Sequence, residues 1–150
     1  MRILINLLLI PFIVACGTSK PLTPQQALQQ LSNSYISGDM AKVAQLLSTN
    51  SKKRIQNAIQ LIGAMNQSQL SSFAKHYRIS ATSLKNLTIP QYLSLQRTIS
   101  SIEGDDVILQ ALQQPVVDIT INNAQATVTV YNGMTLIFVK EGAYWYFEYE

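Results

Sequence analysis

Three observations predict an α+β domain. Apolar residues recur at helical spacing as far as residue 114, and at every second position after Pro115. The second stretch is cut by three two-residue breaks, Asn122-Asn123, Asn132-Gly133 and Glu141-Gly142, of the kind that join antiparallel strands. The predicted order is therefore N-terminal helices followed by a four-stranded antiparallel meander sheet.

The first helix starts at Thr23-Pro24-Gln25-Gln26. Thr23 can cap, Pro24 suits the first helical position, and Gln26 has capping-box spacing. Leu28, Leu31 and Tyr35 share a face, so the helix runs to about Ser37. Gly38-Asp39 ends it and caps a second helix carrying Met40, Val43, Ala44 and Leu47. Ile55, Ala58, Ile59 and Ile62 form the next stripe, and Leu70, Phe73, Ala74 and Tyr77 another, with Ser68 as the cap between them. Thr88-Ile89-Pro90-Gln91 opens a helix bearing Tyr92, Leu93, Gln96 and Ile99. Residues 105–114 suit either a short helix capped by Asp105 or Asp106, or a strand through Val107-Ile108-Leu109; the helix is preferred. The strands are Val116 to Ile121, Ala124 to Tyr131, Met134 to Lys140 and Ala143 to Tyr149.

Two-residue type I′ turns would set Ile121 opposite Ala124, Tyr131 opposite Met134, and Lys140 opposite Ala143. One face then holds Val117, Ile119, Ala126, Val128, Val130, Ile137, Val139, Tyr144 and Tyr146, and receives the helices. The other is split. Asp118, Thr120, Gln125, Thr127 and Thr129 are polar, whereas Leu136, Phe138, Trp145 and Phe147 are apolar. A β-bulge would exchange the faces beyond it. Three readings of this apolar patch stand: a second small core under residues 51–114, a homodimer or partner surface, or one wall of a ligand pocket.

The N-terminus carries an address. Arg2 precedes an apolar run from Ile3 to Val14, then Ala15 and Cys16, the single cysteine. About twelve apolar residues fall short of the ~20 a spanning helix needs. The run fits the core of a secretory signal, with Ala15 as the small residue before the cut. Ile13-Val14-Ala15-Cys16 resembles a bacterial lipobox. The resemblance implies cleavage between Ala15 and Cys16, acyl chains such as palmitate on Cys16, and, with Gly17 rather than aspartate next, the outer membrane of a Gram-negative cell facing the periplasm. The expected organisation is a cleaved signal over 1–15, a lipidated tether over 16–22 and one domain over 23–150.

The mature chain would keep ten Lys and Arg (eleven less Arg2) against eight Asp and Glu, a formal +2. That balance gives no reason to expect nucleic acid as a partner. Charged residues are 13% of the chain, about half the usual ~25%, so Gln, Ser, Thr and Asn fill exposed positions. With Cys16 acylated no disulfide is available, and packing must supply the stability.

The element order resembles the nuclear-transport-factor-2-like superfamily, in particular its small bacterial lipoproteins. The residues that carry this are Tyr35, Gly38 and Asp39 on the first helix, and Trp145, Tyr146 and Phe147 on the last strand. The resemblance covers about residues 23–50 and 116–149 and implies a cone-like curled sheet. The long helical stretch 51–114 departs from the simplest family pattern. Members include isomerases and dehydratases as well as binding modules, so the fold alone does not choose a function. The isomerase pattern of a carboxylate base with a Tyr donor would fall on Asp118 and Tyr131, although a solvated strand aspartate also explains Asp118.

Other candidates are weaker. His76, the single histidine, lies between Lys75 and Arg78 off the apolar stripe and reads as a surface residue. Lys52-Lys53-Arg54 at a helix start could meet anionic membrane or cell-wall groups, and also reads as a solvated face. Glu103, Asp105 and Asp106 cluster beside Gly104, where acids collect in turns. No motif implies a metal or cofactor, and no catalytic residue is assigned. The expected function is a membrane-anchored, non-catalytic binding domain for an envelope protein or small apolar ligand. An isomerase- or hydrolase-like enzyme, and an immunity or assembly factor for one protein, are the alternatives.

Overall fold

The computed structural model describes residues 19–149. Ala15, Cys16 and the apolar run before them lie outside the described residues. Helices α1 (Pro24–Ser37), α2 (Met40–Leu46), α3 (Thr49–Gly63) and α4 (Gln67–Tyr77) come first. A 3-10 turn at Ala81–Leu84 leads to α5 (Ile89–Glu103) and α6 (Val107–Leu112). Strands β1 (Val116–Asn122), β2 (Gln125–Val130), β3 (Thr135–Glu141) and β4 (Tyr144–Phe147) follow as an antiparallel meander in that order. The α+β class is as expected, and the sheet stays open.

Local chemistry sets most helix ends. Thr23 accepts the Gln26 amide at 3.2 Å, Asp39 accepts the Lys42 amide at 3.1 Å, and Asp106 accepts the Leu109 amide at 2.9 Å. Gln91 folds back to accept from the Thr88 amide at 2.8 Å. Gly38 closes α1 with φ +79°, a left-handed conformation that suits glycine. The α4 cap is Asn66 rather than Ser68, because the Asn66 and Gln69 side chains satisfy each other's amides, both at 2.9 Å.

The strand register corrects the predicted faces. In the first hairpin Ile121 pairs with Ala126, two residues from the expected partner, and a shift of two keeps Ile119 on its face. A bulge, however, sets Val116 opposite Val130 and leaves Val117, expected in the core, 63% exposed. In the third, Glu141 pairs with Tyr144 and Phe138 with Phe147, again a shift of two. The middle hairpin differs by one. Its loop is Tyr131-Asn132-Gly133, closed by the Gly133 amide donating to the Val130 carbonyl at 2.8 Å, with Gly133 at φ +82°. Such three-residue loops pair Val128 with Leu136 and Ala126 with Phe138. The one-residue change turns β3 and β4 over relative to the expectation.

Leu136, Phe138, Trp145 and Phe147 therefore join Ala126, Val128 and Val130 on the helix-facing side. All four belong to the core, with Phe138 fully buried. They are neither an exposed patch nor a second core under the middle helices. Ile137, Val139, Tyr144 and Tyr146, expected in the core, are half-buried on the outer side with Thr127 and Thr129. The covering side chains come chiefly from α1 (Ala27, Leu31, Tyr35) and α2 (Met40, Val43, Leu46). Each large buried side chain contributes about 1.5–3 kcal/mol.

The middle helices build their own small core from Leu70, Ala74, Leu84 and Leu95, without strand residues. Helix α5 joins the two cores. Leu93 faces the sheet side and Leu95, two positions on and across the helix, faces α4.

Both edges of the sheet are treated differently. On β4 the Trp145 amide donates to the Pro21 carbonyl at 2.9 Å, and the Ser48 amide donates to the Phe147 carbonyl at 2.9 Å. Strand β1 is the free edge, and it is interrupted by a bulge between Val116 and Asp118. Bulges and charges blunt such edges against pairing with another chain.

The start of α3 is bound to the end of β4. Glu148 accepts from the Ser48 hydroxyl, from Asn50 Nδ2 at 2.6 Å and from Arg54 at 3.0 Å. Glu141 accepts from the Thr49 amide at 2.7 Å and hydroxyl at 2.8 Å. Two carboxylates at a helix N-terminus also complement its positive dipole end.

Candidate functional site

Where the C-terminal half of α1 meets α5, α6, the start of β3 and the end of β4, the helices part from the sheet and leave a cleft of about 250 Å³. Leu136 and Phe147 form part of its sheet wall, and Ile108 and Ala111 part of its helix wall. Tyr35, Asp106 and Tyr149 supply polar groups to it. Thus two of the four residues of the expected patch do line a pocket, from the core side, whereas Phe138 and Trp145 do not.

The polar end is built by one contact across 71 positions of chain. The Tyr35 hydroxyl donates to Asp106 Oδ1 at 3.0 Å, and the same oxygen accepts the Leu109 amide. Asp106 thus starts α6 and pins it to α1 together. Arg97 braces the pair from behind, donating to the Tyr35 carbonyl at 2.7 Å with its guanidinium 5.2 Å from the Tyr35 ring centre. Neither Tyr35 nor Asp106 was singled out for a pocket by the sequence, because each has a sufficient local reason for its place.

Burial raises the phenol pKa values here. Tyr35 is held well above its ordinary value by desolvation and then by the Asp106 carboxylate. Tyr149 is pushed up to about 12, first by desolvation and then by the charges of Tyr92 and Asp106. A raised folded pKa means that stability is complete below the unfolded value near 10 and falls as pH rises towards 12. Urea unfolding at pH 8 and pH 11 should show Tyr149→Phe losing less stability over that interval than the parent protein. The expected difference is on the order of 1 kcal/mol. Equal losses in the two proteins would contradict it.

The pair suggested by the isomerase resemblance is not assembled. Asp118 is exposed on β1, accepts from Thr120 at 2.6 Å, and pairs with Thr129 rather than Thr127. Tyr131 is 77% exposed in the β2–β3 loop. His76 is exposed on α4 with its ring edge-on to Tyr77, 4.6 Å between centres. Glu103 accepts from the Tyr77 hydroxyl at 2.9 Å, so it ties α5 to α4. Asp39 caps α2 and meets Lys42 at 3.1 Å, and the Lys42 amide holds its carboxyl below the usual range. Among the described residues, no group of three His, Cys, Asp or Glu is placed to hold a metal, and no helix is long and apolar enough to cross a membrane.

The residues that carry the family resemblance have structural work. Tyr35 and Trp145 and Phe147 pack in the core, Gly38 ends α1, and Asp39 begins α2. No protein-family model, curated protein or solved structure matches the chain.

Proposed function

We propose that this is a lipid-anchored protein of a bacterial outer membrane, facing the periplasm, whose domain binds a small and mostly apolar molecule without transforming it. The cleft carries the reading. It joins aliphatic and aromatic walls to the Tyr35–Asp106 hydroxyl–carboxylate pair, with Gln96, Ser100 and Glu148 as further polar groups, a mixture suited to a small molecule with a polar handle. At about 250 Å³ it lies just under the usual ~300–1,000 Å³ range, so the ligand is small. At ~30 Å³ per water its volume corresponds to about eight waters. The bonds of Asp106 Oδ1 to Tyr35 and to the start of α6 favour a fixed acceptor over a mobile base. The anchor rests on Arg2, the short apolar run and Ile13-Val14-Ala15-Cys16.

The test uses 2-naphthol, a fluorescent apolar ring system with one hydroxyl. Its roughly eleven non-hydrogen atoms at ~0.4 kcal/mol each give a Kd of about 1 mM or tighter. Ile108→Trp, at a partly buried position of the cleft wall, should abolish binding while the far-UV spectrum stays unchanged. Tyr35→Phe should keep the cavity and weaken binding severalfold. No binding by the parent protein, or equal binding by Ile108→Trp, would defeat the proposal. The anchor is tested separately: a labelled fatty acid fed to cells should enter the parent chain and not Cys16→Ser.

A further inference from the structure

A second concavity, of about 690 Å³, lies beside the point where the described chain begins. It runs between Ser19–Pro21, the polar sides of α1 and α2, and β4, and shares no lining residue with the cleft. Three lysines line it, Lys20, Lys42 and Lys52, and none of its described lining residues is acidic. Lys42 is paired with Asp39 at 3.1 Å. Lys20 and Lys52 form no salt bridge among the described residues. Each instead lies over a tyrosine of the outer sheet face: Lys20 5.1 Å from the Tyr144 ring centre and Lys52 5.8 Å from that of Tyr146. Gln30 and Asn33 add amide groups to the wall.

We infer that this groove holds the phosphate of an anionic phospholipid headgroup at the surface of the membrane that receives the anchor. The inference rests on the lipid-anchored reading, which supplies the geometry. Cys16 is three residues before Ser19, and at most ~3.6 Å per residue the rim of the groove stays within about 11 Å of it. That is close to the ~8 Å over which charges are felt at physiological salt. Lysines beside tyrosines are also the side chains suited to headgroup depth, with apolar bodies and polar tips. The groove thus lies within reach of the bilayer, carries the complementary charge, and has room for a headgroup. A bound headgroup would fix the rotation of the domain on its tether, which an acyl anchor alone leaves free.

The experiment uses the acylated protein in phosphatidylcholine vesicles, with or without phosphatidylglycerol. Labelling of each lysine by an amine-reactive reagent is read by mass spectrometry, with exposed Lys75 and Lys85 as internal references. Lys20 and Lys52 should label about fivefold more slowly when phosphatidylglycerol is present. The references should be unchanged, and high salt should remove the difference. Equal rates in the two vesicles overturn the inference, as does uniform slowing of all lysines, which would mean general surface attraction. Equal protection by soluble glycerol phosphate with phosphatidylcholine vesicles also overturns it, since the phosphate would then be free rather than lipid. The mass of the N-terminal peptide reports Cys16 separately. An unacylated Cys16 removes this inference and the anchor together, whereas loss of 2-naphthol binding removes the cleft reading alone.

Discussion

Phe138→Ala is expected to cost the domain about 3–5 kcal/mol, against a total stability of ~5–15 kcal/mol for proteins of this kind. Phe138 is fully buried, its ring centre is 5.6 Å from that of Phe147, and helices close over it. Its removal leaves a cavity in the core shared by sheet and helices that the neighbouring side chains can fill only in part. Val139 is the next residue but points to the outer sheet face and is half-buried. Val139→Ala should therefore cost no more than about 1 kcal/mol. Urea unfolding of both variants reads the register directly. A large loss at Val139 with a small one at Phe138 would mean that β3 presents the opposite face to the helices.

Glu148→Ala is the second large effect, about 2–3 kcal/mol from the loss of charged hydrogen bonds. The carboxylate is 11% exposed and serves Ser48, Asn50 and Arg54 together. Without it the guanidinium loses its ionic partner and keeps only the Tyr149 carbonyl, and the fully buried Ser48 hydroxyl keeps only Ser51, 2.8 Å away. Arg54→Ala should cost under about 1 kcal/mol, because the arginine side chain is 46% exposed and its charge is screened. Thermal or urea unfolding of the two single variants distinguishes the cases. Similar small losses in both would show that the end of β4 is not a support of α3.

The sequence was most legible where a structural decision is local. Thr23, Asp39, Asp106 and the Thr88/Gln91 pair mark helix starts through bonds spanning three residues or fewer, and all four starts are present. The change of period at Pro115 likewise marks the passage from helices to sheet. The loop at Asn132-Gly133 was legible as a turn but not as a turn of a given length. Asn-Gly fits a two-residue type I′ loop, and Gly133 equally fits the left-handed position that ends a three-residue one. One residue of difference there moves Leu136, Phe138, Trp145 and Phe147 from one face to the other.

Helix α5 was half legible for a related reason. A single-stripe reading finds Leu93 and passes over Leu95, because this helix buries two faces against two different cores. The cleft was not legible at all. Tyr35 and Asp106 meet only once the sheet has drawn α1 and α6 together, and nothing in either neighbourhood anticipates the other. Of the groove's three lysines only Lys52 stood out in the sequence, as part of Lys52-Lys53-Arg54, since Lys20 and Lys42 lie singly on separate segments.

The bond from the Trp145 amide to the Pro21 carbonyl has a mechanical side. Pro21 is fully buried and lies only two residues after Ser19, so tension arriving at Ser19 passes to that bond over a very short length of chain. Behind it stand Trp145 in the core and the antiparallel ladder between β4 and β3. A pull on the N-terminus is therefore shared between α1, whose Gln30 Nε2 donates to the Ser19 carbonyl at 2.8 Å, and the edge of the sheet. Release of Ser19 from Gln30 and then of Pro21 from β4 would come before any unwinding of the helices.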